Sequence, residues 1–210
     1  MISAHEALAL LREGNHRFAA GESTQNSMTF PDRRQDVADA QYPFAVILGC
    51  SDSRVPPEIA FDQGLGDLFV IRVAGNIAAP TQIGSIEFAV ENFGTPLIVV
   101  LGHSGCGAVA GAIQAERDPG MVLTHNLRTV VDRIRPAVQQ LAEAGVSEDP
   151  EEFSRRAVFA NVRLALDHLR RGSSFLDERI RSGALTIAGA VYALEEGTVT
   201  FLDDDAARCS

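Results

Sequence analysis

Phe44-Ala45-Val46-Ile47-Leu48-Gly49-Cys50 decides how this 210-residue chain folds. Apolar side chains occupy both faces of that run, as in a central strand of a parallel sheet covered on both sides. A second run, Leu97-Ile98-Val99-Val100-Leu101-Gly102, repeats the pattern and delivers His103 and Cys106. Between them lie a strand over Leu68 to Val73, helical patterns over about 57–63 and 82–93, and the Gly94-Thr95-Pro96 turn. This alternation predicts an α/β fold with a mostly parallel central sheet, order about 2-1-3-4, flanked by helices.

Working outward, Ser3 and Glu6 form a capping box, and Ala7, Leu8, Leu11 and Phe18 share one helical stripe that ends near Gly21. Residues 22–42 are polar and broken by proline, so residues 1–42 read as an amino-terminal helical arm. After Cys106 the pattern is mostly helical, over about 107–115, 124–144, 151–171 and 174–181. Asp149-Pro150-Glu151-Glu152 is a helix start, with a cap, a first-turn proline and acidic residues in order. A fourth strand is expected over Leu185 to Val191 and a weak edge strand over Thr198 to Leu202. The reading is one domain, 1–210, with an α/β core over 43–202 and an acidic tail over 203–210.

Bulk properties narrow the function. A composition of 46% hydrophobic and 22% charged residues is ordinary for a globular domain, and no apolar run approaches the ~18 residues of a membrane span. A net charge of -10 without a basic block opposes binding to nucleic acid or to anionic membranes. The start has no secretory layout and three cysteines make a poor disulfide framework, so a cytoplasmic location is expected.

In a sheet of order 2-1-3-4, the first and third strands send their connections to opposite faces and open a crevice at their carboxyl ends. Cys50 and His103 sit at those ends, 53 positions apart in sequence, and Cys106 opens the next helix, where the amino-terminal dipole favours thiolate. Two thiols and an imidazole suit a zinc ion held by three protein ligands with a fourth position for water. Ligands drawn from distant strand ends favour a catalytic over a structural site, because structural sites space their cysteines as near-adjacent pairs. A closed, non-catalytic zinc site completed by Cys209 or Asp52 is the rival from another class. Taken singly, each cysteine reads first as core packing.

The segment Cys50-Ser51-Asp52-Ser53-Arg54, with Gly102-His103-Ser104-Gly105-Cys106-Gly107, resembles the paired motifs of the β-class carbonic anhydrases. Arg72-Val73-Ala74-Gly75-Asn76 and Gly64-Leu65-Gly66-Asp67 are similar to that family as well. The resemblance implies one zinc ion per subunit, reversible hydration of carbon dioxide to bicarbonate, and a homodimer or homotetramer. By position it makes Cys50, His103 and Cys106 the metal ligands and Asp52 with Arg54 the catalytic pair. Gln41, Phe69, Ala74, Phe88 and Gly107 match the family's substrate pocket. Phe88 stands where plant-like members have tyrosine. Arg72 and Tyr192 match two residues of a non-catalytic bicarbonate site in bacterial members, but Ile47 stands at its tryptophan position, which argues against that site here.

Chemistry gives the same residues the same work. Two thiolates cancel the charge of the dication, so zinc-bound water is expected to be less acidic than the pKa of about 7 of a three-histidine site, and activity to fade below neutrality. Asp52 can accept a hydrogen bond from zinc-bound hydroxide and aim it at carbon dioxide, while Arg54 holds the carboxylate by a fork. The resemblance also implies an off state in which Asp52 swings onto zinc, with Arg54 as the latch. A carbonyl sulfide or carbon disulfide hydrolase fits the same ligands. A dinucleotide enzyme does not, because the glycines read G-x-x-G-x-G, and the H-x-E pair of the nucleobase deaminases is missing. His5, His16, His125 and His168 read as surface groups, Cys209 as an idle tail thiol, and the stripe Leu127, Val131, Ile134, Val138 as core or subunit interface.

Overall fold

The structure, a computed structural model, describes residues 2–24, 31–146 and 149–202. The expected acidic tail and Cys209 lie outside the described residues. Five strands, β1 (Ala45–Gly49), β2 (Leu68–Arg72), β3 (Leu97–His103), β4 (Thr186–Tyr192) and β5 (Val199–Phe201), form one sheet of order β2-β1-β3-β4-β5. The first four are parallel, and β5 joins the edge antiparallel to β4. The expected order and carboxyl-terminal edge strand are both present. β1 and β3 are buried along their whole length, as their two-faced apolar composition requires. β2 is an edge strand and stays half-exposed.

Eight helices cover the described residues: α1 (Ala4–Ala19), α2 (Pro31–Asp36), α3 (Pro57–Ala60), α4 (Pro80–Phe93), α5 (Gly107–Arg117), α6 (His125–Glu143), α7 (Pro150–Gly172) and α8 (Ser174–Arg181). One apolar cluster joins Val46, Leu48, Ile98 and Val100 of the sheet to α4, α5, α6 and α7. Another joins Ile47, Val99 and Leu101 to Ala7 and Leu11 of α1 and to Ala60 and Phe61. Alternate side chains of β1 and β3 thus feed opposite layers, which is the geometric meaning of their unbroken hydrophobicity.

The Ser3–Glu6 capping box closes the start of α1. The rest of that helix, expected as an arm, lies on its own chain's core. Asn15 donates to the carbonyls of Ala60 and Gly197 and accepts from the amide of Val199, and Phe18 packs on Tyr192. The short α2 was not expected, because its polar sequence carries no apolar period. Asp149 caps α7 through the amide of Glu151, with Pro150 in the first turn.

Candidate active site

Strand register builds the site. Gly49 pairs with both Arg72 of β2 and Leu101 of β3, so the chain leaves β1 with Cys50 beside Gly102 and one step from His103. Cys106 is the N-cap of α5, reached from β3 by the Ser104-Gly105 turn. One sulfur each from Cys50 and Cys106 and a ring nitrogen from His103 lie within 4.8 Å of one another, and the two sulfurs are 4.0 Å apart. All three residues are buried, with His103 fully so.

The polar surroundings aim these groups. His103 Nδ1 lies 2.9 Å from the carbonyl oxygen of Ser104, which can only accept, so Nδ1 carries the proton and Nε2 presents its lone pair. Among the described residues Nε2 has no hydrogen-bond partner although it is buried. Burial pulls the His103 imidazolium down, but Cys50, the Ser104 carbonyl and Asp52 outweigh it and raise its pKa. The two thiols act as one acid. Their contact, helped by the Gly75 amide donating to Cys50 Sγ at 3.4 Å, favours a thiolate on Cys50 and pushes the Cys106 thiol up, with burial adding to the rise. Two sulfurs, one of them readily ionised, and an orphaned imidazole lone pair form a buried electronegative cage, and that donor set fits a borderline-soft dication such as zinc.

Asp52 stands at the rim, with Oδ2 3.9 Å from His103 Nε2. Arg54 grips it by a fork, Nε to Oδ1 at 2.9 Å and Nη2 to Oδ2 at 2.8 Å, and the Arg54 amide adds a bond to Oδ1 at 3.0 Å. These Arg54 bonds hold the Asp52 carboxyl well below the usual carboxylate range despite some desolvation. It is therefore ionised throughout the neutral range.

Three supports were not assigned from sequence. Arg72 donates from Nε to the Cys50 carbonyl at 2.9 Å and from Nη2 to the Asp52 carbonyl. Gly75 supplies the amide to Cys50 from a left-handed conformation, φ 70°, where a Cβ would come within 2.6 Å of Ile134. Asn161 of α7 is buried and donates to the Gly75 carbonyl at 2.8 Å, fixing that turn. Arg72 and Gly75 belong to a segment already notable for its family likeness; nothing in the local sequence marks Asn161.

The expected pocket residues divide. Gly107 is the first residue of α5 beside Cys106, and Ala74 opens the 3-10 turn next to Gly75. Phe69, in contrast, pairs with Val46, four residues before Cys50, or roughly 13 Å away along the strand. Phe88 of α4 packs on Phe69 and Phe93 and is 51% exposed. Gln41 is exposed on the segment leading into β1. Within one chain these three are not gathered with the sulfurs and imidazole. Ile47 and Tyr192 belong to the apolar cluster beneath α1, while Arg72 is engaged by the two carbonyls.

A Cys-His-Cys cluster on the carboxyl edge of a parallel sheet, with a fork-bound carboxylate at its rim, defines an α/β protein whose donor groups could hold a metal ion. The carbonic anhydrase family profile matches residues 45–199. Carbonic anhydrase 2 of Mycobacterium tuberculosis is 45% identical over 193 residues, covering 92% of this chain and 90% of that protein. Among solved structures, the β-carbonic anhydrase CcaA superposes with a TM-score of 0.74 at 30% identity, covering 95% of this chain and 96% of that one. One of two tetrameric β-carbonic anhydrases from Sordaria macrospora gives 0.72 at 29% identity, covering 94% and 95%. The chain belongs to the β-class carbonic anhydrases, lyases that hydrate carbon dioxide reversibly. No helix among the described residues is long and apolar enough to cross a membrane.

Proposed function

We propose that the chain hydrates carbon dioxide with one zinc ion per subunit, held by Cys50, His103 and Cys106, and that Asp52 and Arg54 prepare the attacking water. The observation that carries this reading is the buried triplet within 4.8 Å, directly beside a carboxylate already locked by its arginine. Zinc, when bound, supplies the Lewis acidity that makes water nucleophilic near neutral pH. The protein does the rest by position. Asp52, ionised and immobilised, accepts a hydrogen bond and fixes the direction of a lone pair; Arg54 keeps that acceptor from rotating. The carbonyl contacts of Arg72 hold the Cys50–Asp52 turn in register. The Gly107 amide, at the positive end of α5, can donate to an oxygen of bicarbonate.

Gln41, Phe69 and Phe88 reach such a centre only across a subunit contact. The half-exposed edge strand β2 and the exposed Phe88 beside it offer one, consistent with a homodimer or with the tetramers of the Sordaria enzymes. The expected site of action is the cytoplasm. Stopped-flow carbon dioxide hydration from pH 6 to 9, with metal content measured on the same samples, tests the reading. Activity proportional to zinc and fading below neutrality supports it; hydration by metal-free protein, or a rate flat into acid, overturns it. Carbonyl sulfide turnover exceeding carbon dioxide hydration on that preparation reassigns the substrate.

A further inference from the structure

Away from the sulfur cluster, α4, α6 and α7 border an open crevice of about 430 Å³. Arg133 of α6 and His168 and Arg171 of α7 line it, together with Glu87 and an apolar wall of Ala78, Pro80 and Ile83. Among the described residues Arg133 meets no carboxylate within ion-pair distance and makes no hydrogen bond. Arg171 has only the exposed Asp167 at 3.9 Å, a contact of little energy. The amino-terminal turn of α4 forms one side, with Ala79 as a cap that makes no side-chain bond and no acidic residue in the first turn. Its dipole adds positive potential to that of the two guanidinium groups. Burial, then Arg133, hold the His168 imidazole below its usual range; Asp167 opposes this and Arg171 reinforces it. Glu87 is the other charged group facing the crevice, and its Oε1 is taken by the Ser173 hydroxyl.

We propose that this crevice binds a small organic phosphate, its phosphate group held by Arg133, Arg171 and His168 and its body lying on Ala78, Pro80 and Ile83. Two guanidinium forks and an imidazole N–H match the three oxygens and near-double charge of a phosphate monoester better than a carboxylate. The open crevice has more room than one inorganic anion fills, which leaves space for a body beside the phosphate group. Glu87 adds an acceptor for a hydroxyl, and its charge opposes a second anionic group, which favours a singly phosphorylated, hydroxylated body.

Calorimetric titration of the intact zinc-loaded protein with ribose 5-phosphate, inorganic phosphate and ribose at constant ionic strength tests this. Ribose 5-phosphate is expected to bind with a Kd below about 1 mM, at least ~10-fold tighter than inorganic phosphate, and ribose not to bind. The double variant Arg133→Gln/Arg171→Gln should weaken ribose 5-phosphate by at least ~10-fold, the loss expected for charge-assisted bonds, while carbon dioxide hydration is unchanged. Gly84→Leu offers a second route that leaves the charges in place. A Cβ at Gly84 meets no atom within 4 Å, so the larger side chain fills the crevice without straining the helix, and binding should be lost. The ligand should also raise the apparent pKa of the His168 imidazole, followed by its ring-proton resonances. Absence of saturable binding at 20 mM (about 20 times the expected Kd), wild-type affinity in the double variant, or equal affinity for inorganic phosphate overturns the proposal.

Discussion

Two aspartate–arginine pairs occupy opposite settings in this protein, one sealed in the fold and one at the rim of the candidate site. Asp62, fully buried, spends both oxygens: Oδ2 accepts from Arg17 at 2.7 Å and Thr24 Oγ1 at 3.0 Å, and Oδ1 from Ser23 Oγ at 2.6 Å and the Thr24 amide at 2.9 Å. Asp52 has a single side-chain donor, Arg54, and remains 18% exposed at the edge of the sulfur and imidazole cluster. Burial pushes the Asp62 carboxyl up, but Ser23, Arg17 and Thr24 more than reverse it, so both carboxyls end below the ordinary range. A depressed pKa therefore does not separate a carboxylate sealed in the fold from one at the rim of the candidate site. What separates them is unused accepting capacity facing a site.

The sharpest way to break the comparison is to remove the centre that Asp52 faces. His103→Ala should abolish stoichiometric zinc and lower carbon dioxide hydration by about 10³-fold or more, read by metal analysis and stopped-flow rates. Full activity without zinc would leave the Asp52 pair with no special role. Asp62→Ala should act only on folding. It strands Arg17 and the Ser23–Thr24 donors and should remove about 3 kcal/mol from the urea unfolding free energy, leaving turnover per folded molecule unchanged. Asp52→Asn should do the reverse, lowering turnover by roughly 100-fold with an unfolding midpoint near wild type. If Asp52→Asn destabilised the fold as much as Asp62→Ala, the contrast would collapse.

The smallest effect is in pH. A carboxyl whose folded pKa lies below its unfolded value of about 3.9 contributes stability that is complete above that value and lost as pH falls through the folded pKa. Unfolding free energy should thus decline from about pH 5 downward. Asp62→Asn should flatten that decline more than Asp52→Asn, because Arg54 is 58% exposed and its pairing is screened by solvent. Equal flattening would show that the two pairs contribute alike.

The sequence made the sheet order and the Cys50–His103–Cys106 cluster legible for one reason. Runs such as 44–49 and 97–102 are apolar on both faces, and only central parallel strands tolerate that. Once those strands are neighbours, Cys50 and His103 must share a carboxyl edge. Asp52 and Arg54 were legible because they are two residues apart and their contact is local. The supports were not, since they arrive from elsewhere: Arg72 is 22 residues from Cys50 and Asn161 is 86 from Gly75. The docking of α1 was hidden likewise. Its apolar stripe predicts a buried face but not which surface covers it.

Local chemistry, then, fixed the strands, the caps of α1 and α7, the identity of the sulfur and imidazole donors, and the Asp52–Arg54 fork, because each depends on neighbours a few residues away or on a hydrophobic period. Tertiary structure alone decided which carbonyls Arg72 holds, that Gly75 must stay a glycine under Ile134, and that Phe69 and Phe88 stand apart from their own chain's donors. It also gathered Arg133, His168 and Arg171 from two helices around one crevice. These are distances between segments remote in sequence, set by how layers pack, and no period or spacing along the chain encodes them.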